Sequence, residues 1–221
     1  MNIAIDGPAG AGKSTIAKIL AKKLGFTYLD TGAMYRAVAL KADRAGIAVS
    51  DEAAVEELLR ALSLDVVYGG DGSQRVILDG EDVSDAIRAH RVSKLASDVS
   101  ALSAVRLAMV DLQRAIAEKT DTVLDGRDIG TFVLPGAEFK FYLTASVDER
   151  ARRRYLQLKE KGEPCDLESI KRDIAERDKN DAGRALAPLK KADDALEVDT
   201  TELSVDGVVN VLYSRVRRAK Q

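Results

Sequence analysis

The 221-residue chain has one cysteine and one histidine. Cys165, being alone, excludes an internal disulfide and any metal centre built from several thiolates. No apolar stretch approaches the roughly 20 residues that a bilayer-spanning helix needs. The opening Met1-Asn2-Ile3 carries neither the basic nor the long apolar region of a secretory leader. Internal repeats and low-complexity tracts are missing too. Charged residues make up 32% of the chain, yet the formal net charge is only -2. No broad field of one sign therefore draws the protein to nucleic acid or to an anionic membrane. These absences predict a cytoplasmic protein without nucleic-acid or membrane partners. A hydrophobic fraction of 46% is ample for a core, and the length suits one enlarged α/β domain over residues 1–221.

The most informative segment present is Gly7-Pro8-Ala9-Gly10-Ala11-Gly12-Lys13-Ser14, which completes the pattern G-x-x-x-x-G-K-S/T. It follows the apolar run Ile3-Ala4-Ile5 and precedes Ile16 to Leu24, where apolar residues recur at helical spacing with lysines between, until Gly25 ends the segment. Strand, glycine loop and helix start are what phosphate binding requires. The glycines let backbone N–H groups wrap the anion, and the helix presents its positive end to it. Gly7 through Ser14, with Thr15 adjoining, are thus predicted to bind a nucleoside triphosphate. Lys13 would meet its outer phosphates and the Ser14 hydroxyl a Mg2+ ion held with them.

Short apolar strands alternate with longer amphipathic helices, which predicts a parallel sheet covered on both faces. The strands are expected at Asn2 to Ile5, Thr27 to Leu29, Thr122 to Leu124, Phe139 to Leu143 and Ala195 to Val198. One stretch breaks the rhythm. Leu64 to Tyr68, Gly69-Gly70-Asp71-Gly72, Arg75 to Leu78 and Asp79 to Val83 alternate around glycine turns, the chemistry of hairpins. Residues 46–88 are therefore read as an inserted subdomain. Helices return from about His90 to Lys119. A polar stretch around Lys159 to Asp166, between two charged helices, is read as a mobile flap, with the lid placed at 155–168.

The loop identifies a phosphate site but not an acceptor, and the arginines are the place to look for one. Asp30-Thr31-Gly32-Ala33-Met34-Tyr35-Arg36 follows the second strand, and Asp125-Gly126-Arg127-Asp128-Ile129-Gly130-Thr131 runs out of the third. Ligands of open α/β sheets bind at the carboxyl ends of the strands. Arg36 and Arg127 can there offer planar forks to an acceptor phosphate. Arg150, Arg153 and Arg154 flank the flap and are candidates for the transferring phosphate, whereas Arg152 suits a solvated helix face. Arg177 and Asp181 share a helix face, with Arg184 just beyond. Phosphoryl transfer needs alignment and charge neutralisation more than covalent chemistry, so Mg2+, Lys13 and several arginines suffice without a catalytic base. On these residues alone, adenylate-like, shikimate-like and dephospho-coenzyme A kinases all stay open. A guanine-nucleotide switch is disfavoured, because Asp178-Lys179-Asn180-Asp181 has the wrong residue before the lysine.

Taken together, Asp6 to Ser14, Asp30 to Arg36, Val76 to Ser84, Asp125 to Thr131, and Arg177-Asp178 through Arg184 to Leu189 resemble the bacterial cytidylate kinases, of the nucleoside monophosphate kinase group. The resemblance runs over essentially the full length. It implies a P-loop three-layer α/β fold with a five-stranded parallel sheet, an inserted monophosphate-binding subdomain with a small antiparallel sheet, and a short lid. The implied reaction passes the γ-phosphoryl group of ATP, with Mg2+, to CMP or dCMP, in a monomer. Position by position, Thr31, Arg36, Arg127 and Arg184 are implied to meet the CMP phosphate. Ser97, Arg106 and Asp128 are implied to read cytosine, and Arg177 and Asp181 to approach the ribose. Lys13, Arg127, Arg150, Arg153, Arg154 and Arg184 form the implied catalytic set. Thr31 stands where similar enzymes also carry serine, and it keeps the hydroxyl. Arg88 is expected to anchor the insert or reach the ligand, His90 to be a surface side chain, Cys165 a bystander thiol, and Arg215 to Lys220 a solvated helix end.

Overall fold

A computed structural model describes residues 1–70 and 72–218. Asp71 of the predicted hairpin turn, Ala219 and Lys220 of the basic tail, and the side chain of His90 lie outside the described residues. Five parallel strands form one sheet in the order β2 (Thr27–Asp30), β6 (Thr122–Gly126), β1 (Asn2–Asp6), β7 (Phe139–Thr144), β8 (Leu196–Asp199). All five match the predicted strands to within a residue or two. The central β1 has Ile3 opposite Val123 on one side and Phe139 on the other. Ile3, Ala4, Ile5, Val123, Leu124 and Leu143 are wholly buried, as strands covered on both faces must be. The edge strand β8 instead leaves Leu196, Glu197 and Asp199 exposed and buries only Val198 of its four residues.

The chain divides into two compact units, Met1–Phe26 with Thr122–Gln221, and Thr27–Asp121. In the first, helix α1 (Lys13–Leu24) leaves the glycine loop directly, and Gly25 closes it in a left-handed conformation, its N–H donating to the last turn. α1 packs against α8 (Val205–Arg218). Helix α6 (Val147–Glu160) starts on Ser146, whose hydroxyl accepts the Glu149 N–H, with Asp148 and Glu149 in the first turn where the helix dipole favours them. Helix α7 (Leu167–Ala182) starts on Asp166, which accepts the Ser169 N–H. The predicted flap falls on this helical hairpin. Ala151 and Leu158 of α6 pack on Ile170 and Ile174 of α7, with Tyr155 and Cys165 against them. Only residues 161–166 are left as the turn, and the Cys165 thiol serves as packing under it.

The second unit holds α2 (Thr31–Arg44), α3 (Glu52–Arg60), α4 (His90–Val99), α5 (Ser103–Ala117) and a three-stranded antiparallel sheet of β3 (Leu64–Tyr68), β4 (Gln74–Leu78) and β5 (Glu81–Asp82). The small sheet lies where the glycine turns placed it. Asp30 begins α2 by accepting the Ala33 N–H at 2.9 Å. This compact unit, Thr27–Asp121, contains residues 46–88 together with α2, α4 and α5. Lys41 pairs with Asp79 at 2.9 Å, Arg44 forks onto Glu81 at 2.7 and 2.9 Å, and α4 packs along α2. Arg88 donates its Nε to the Ser84 carbonyl at 3.2 Å. No described helix is long and apolar enough to cross a membrane.

Candidate active site

In the first unit the glycine loop runs from the end of β1 into α1. Gly7 has φ 146°, and a Cβ there would overlap the carbonyl oxygen of Leu143 on β7, so only glycine lets the loop leave the strand at this angle. Lys13 is buried, and its Nζ donates to the Pro8 carbonyl at 2.8 Å, inside the loop. Burial, with the Arg127 charge adding to it, brings the Lys13 ammonium down to about 7. The Ser14 hydroxyl donates to Oδ2 of Asp125 at 2.8 Å. A hydroxyl beside a carboxylate at the mouth of a phosphate loop is a donor set that suits Mg2+, which takes one or two protein oxygens and completes its shell with phosphate and water. Among the described residues no cluster of three or more His, Cys, Asp or Glu side chains could hold a metal by itself. Thr15, next along α1, is exposed.

Asp181 of α7 is fully buried and holds two arginines. It accepts from Nε of Arg127 at 2.8 Å on one oxygen and from Nη2 of Arg184 on the other. Burial works to raise its pKa, but the Arg127 and Arg184 charges outweigh it and hold the carboxyl below the ordinary range. Arg177 is half-buried on the same helix and contributes to that field. The residue implied to approach the ribose is thus first of all a brace for the implied phosphate arginines. Asp128 is buried at the start of a π-helical turn, Ile129–Val133.

The four arginines of α6 have four different surroundings. Arg150 is buried behind the loop, donating Nε to the Ala145 carbonyl at 2.9 Å and Nη1 to the Ala9 carbonyl at 3.1 Å, and pairing with Asp178 at 2.6 Å. It supports the loop's backbone rather than facing outward. Arg153 donates to Glu149 and, through both terminal nitrogens, to the hydroxyl and carbonyl of Thr200, whose hydroxyl in turn donates to the Ala11 carbonyl at 3.2 Å. Arg154 is half-buried one position further on. Arg152 forks onto Glu149 in solvent, the surface pair expected of it.

In the second unit Thr31 is buried as the first residue of α2, and Arg36 lies on the next turn with Nη2 donating to Asp30 at 2.9 Å. Asp30 is itself clamped by Gln74 of β4, whose side-chain oxygen accepts the Asp30 N–H at 2.7 Å while its amide donates to the Asp30 carbonyl at 3.3 Å. Ser97 of α4 and Arg106 of α5 are joined through Ser100. The Ser100 hydroxyl donates to the Ser97 carbonyl at 2.8 Å, and Arg106 Nη1 donates to the Ser100 carbonyl at 3.0 Å. Arg106 is almost wholly buried, and its guanidinium lies 5.5 Å from the centre of the Tyr35 ring, a cation–π contact that helps a charge remain inside. Asp125, Asp178, Thr200 and Gln74 were not singled out from the sequence. Only Asp125 left a usable signal there, a carboxylate ending an apolar strand.

Two solved structures share the fold at low identity: a gluconokinase from Sinorhizobium meliloti 1021 (TM-score 0.52, 13% identity, 99% of this chain and 92% of that one) and an uncharacterized protein from Eubacterium ventriosum ATCC 27560 (TM-score 0.52, 14% identity, 98% of each). Sequence relatives are far nearer. A protein named cytidylate kinase from Caldanaerobacter subterraneus subsp. tengcongensis is 51% identical over 218 residues, 99% of this chain and 95% of its own. Another of that name, from Geobacter sp. (strain M21), is 49% identical over 97% of this chain and 92% of its own. The family model described as cytidylate kinase matches residues 3–218, and with relatives of this identity over nearly full length the chain belongs to the cytidylate kinase family.

Proposed function

We propose that the chain transfers the γ-phosphoryl group of ATP to CMP or dCMP, releasing ADP and the corresponding diphosphate. The observation that carries this reading is the buried Arg127–Asp181–Arg184 array in the same unit as the Lys13 loop. Two guanidinium groups held by one carboxylate are a fork for a phosphorylated acceptor. The names of the relatives supply the base.

In this reading the backbone N–H groups from Gly7 to Ser14 and the Lys13 ammonium hold the ATP phosphates. Ser14 and Asp125 would hold Mg2+ with them, and the ion supplies charge neutralisation when bound. Arg36, Arg127 and Arg184, with Thr31, take the CMP phosphate. One of its oxygens attacks the γ-phosphorus, and the bond to the β–γ bridging oxygen breaks, leaving ADP. Arg153 and Arg154 offset charge on the transferring group, while Arg150 keeps the loop in shape for it. Arg177 and Asp181 lie toward the ribose. Cytosine offers an amino donor at position 4 and acceptors at N3 and O2. Asp128 can only accept and Arg106 can only donate, which suits cytosine and opposes uracil at two atoms, with Ser97 alongside. The enzyme acts as a cytoplasmic monomer on small-molecule substrates, in keeping with its net charge of -2.

A coupled ADP-release assay with ATP, magnesium and CMP, dCMP, UMP, AMP, GMP or shikimate tests the proposal. CMP and dCMP should exceed UMP in kcat/KM by a factor on the order of 10⁴, the discrimination that mismatched buried polar groups provide. Turnover with AMP or shikimate in place of CMP would overturn it.

A further inference from the structure

Asp6 ends β1, immediately before the first glycine of the phosphate loop, and its side chain is buried. Both carboxylate oxygens are used, one accepting the Ile129 N–H at 2.7 Å and the other the Gly130 N–H at 2.7 Å. These are the first N–H groups of the π-helical turn that begins at Asp128, whose carbonyl accepts from Phe132 at 2.9 Å and Val133 at 3.1 Å. The opening N–H groups of a helical turn have no partner within it, and the residue at the start normally caps them with its own side chain. Asp128 occupies that position and makes no capping hydrogen bond. Asp6 caps the turn instead, from another strand. Ile129 and Gly130 are buried, so water does not replace it.

We propose that Asp6 is a positioning residue for acceptor selectivity: through the Ile129 and Gly130 amides it fixes the turn that begins at Asp128, just after Arg127, and ties that turn to the entry of the phosphate loop. The inference rests on Asp128 reading the base. Capping by Asp6 keeps the Asp128 carboxylate from folding back on its own turn, and two short hydrogen bonds to one side chain set the turn more tightly than backbone contacts alone.

Two substitutions disturb the contact from opposite sides. Asp6→Asn keeps the shape but sets an amide N–H against one of the two backbone N–H groups. Gly130→Ala puts a Cβ 3.3 Å from Oδ2 of Asp6 and 3.1 Å from Cδ of Lys140, pressing the turn off its cap and remaining available should Asp6→Asn fail to fold. Val123→Ala, a buried truncation on β6, serves as the stability control. The measurements are kcat/KM for CMP and UMP and KM for ATP, with Asp128→Ala and the Asp6→Asn/Asp128→Ala double variant. Asp6→Asn and Gly130→Ala should each narrow the CMP:UMP ratio by about tenfold or more while moving KM for ATP by no more than about twofold. The double variant should narrow it no further than Asp128→Ala alone, and Val123→Ala should leave it unchanged. A ratio held in Asp6→Asn and Gly130→Ala while Asp128→Ala narrows it overturns this inference alone. A ratio held in Asp128→Ala overturns base reading and the inference with it. An equal change in Val123→Ala would show that the ratio follows stability, which overturns the positioning role.

Discussion

Arg127 is fixed by Asp181, its Nε 2.8 Å from the carboxylate inside the protein, and the same carboxylate holds Arg184. One residue of α7 therefore sets two charges that are separated in the chain by the turn Ile129–Val133, by β7 and by the α6–α7 hairpin. Asp181→Asn retains the size of the side chain and removes its charge, leaving two guanidinium groups with a neutral partner. Steady-state kinetics should show kcat/KM for CMP falling by about 10²-fold or more, with KM for ATP changed little. Thermal melting should show a loss of several kcal/mol, on the scale of about 3–5 kcal/mol for breaking a buried ion pair.

Arg150 spans three acceptors, the Ala9 and Ala145 carbonyls and the Asp178 carboxylate. A lysine has one nitrogen and cannot reach all three. Arg150→Lys should raise Kd for an ATP analogue by about tenfold, measured by calorimetric titration, and leave CMP affinity near wild type. A larger loss for CMP than for the ATP analogue would place Arg150 on the acceptor instead.

Gln74 holds both backbone groups of Asp30, and Asp30 holds Arg36. Gln74→Leu fills the same space without either bond. KM for CMP should rise by about tenfold, since net hydrogen bonds contribute about 1 kcal/mol each, while kcat falls less. Circular dichroism should remain that of the wild type.

Asp6 gives a pH dependence of stability. Burial pushes its carboxyl up from 3.8 to about 7, with Asp128 adding to the effect, while the Ile129 and Gly130 N–H groups and Lys13 oppose it. Tyr142 on β7 and the Lys140 stem at Gly130 are the other titratable groups near it. Between pH 3.8 and about 7 the folded chain keeps a proton that the unfolded chain has released, so stability falls as pH rises through that window. Asp6→Asn carries no such proton. Urea denaturation at intervals from acid to neutral pH should show wild type losing stability relative to Asp6→Asn by a few kcal/mol as pH rises.

The sheet was legible because its strands are apolar runs. Ile3-Ala4-Ile5 reads as a strand buried on both faces, and it is one. The small sheet was legible because Gly69, Gly70 and Gly80 mark its turns. The limits of the second unit were not. Nothing in Lys41 or Arg44 as letters says that they pair with Asp79 and Glu81. The phosphate loop was equally plain, since its chemistry is local. Ser14 and Asp125 stand 111 residues apart, and only the neighbouring placement of β1 and β6 joins them. Arg150 and Arg153 have the residue type and spacing of arginines that reach for phosphate. Their partners Asp178 and Thr200 come from other elements, and periodicity carries no trace of them. Asp6 did carry a signal, a lone carboxylate closing an apolar strand, but its partners are backbone N–H groups that leave no mark in sequence.

The crowding at Gly7 has a consequence at the level of the gene. Every single-base change of a glycine codon that alters the residue without stopping translation installs a Cβ, and at this position that atom collides with the backbone of β7 rather than with a side chain that another mutation could shorten. A replacement of this glycine therefore demands that the backbone of β7 shift in the same step, a requirement that no neighbouring side-chain change can relieve.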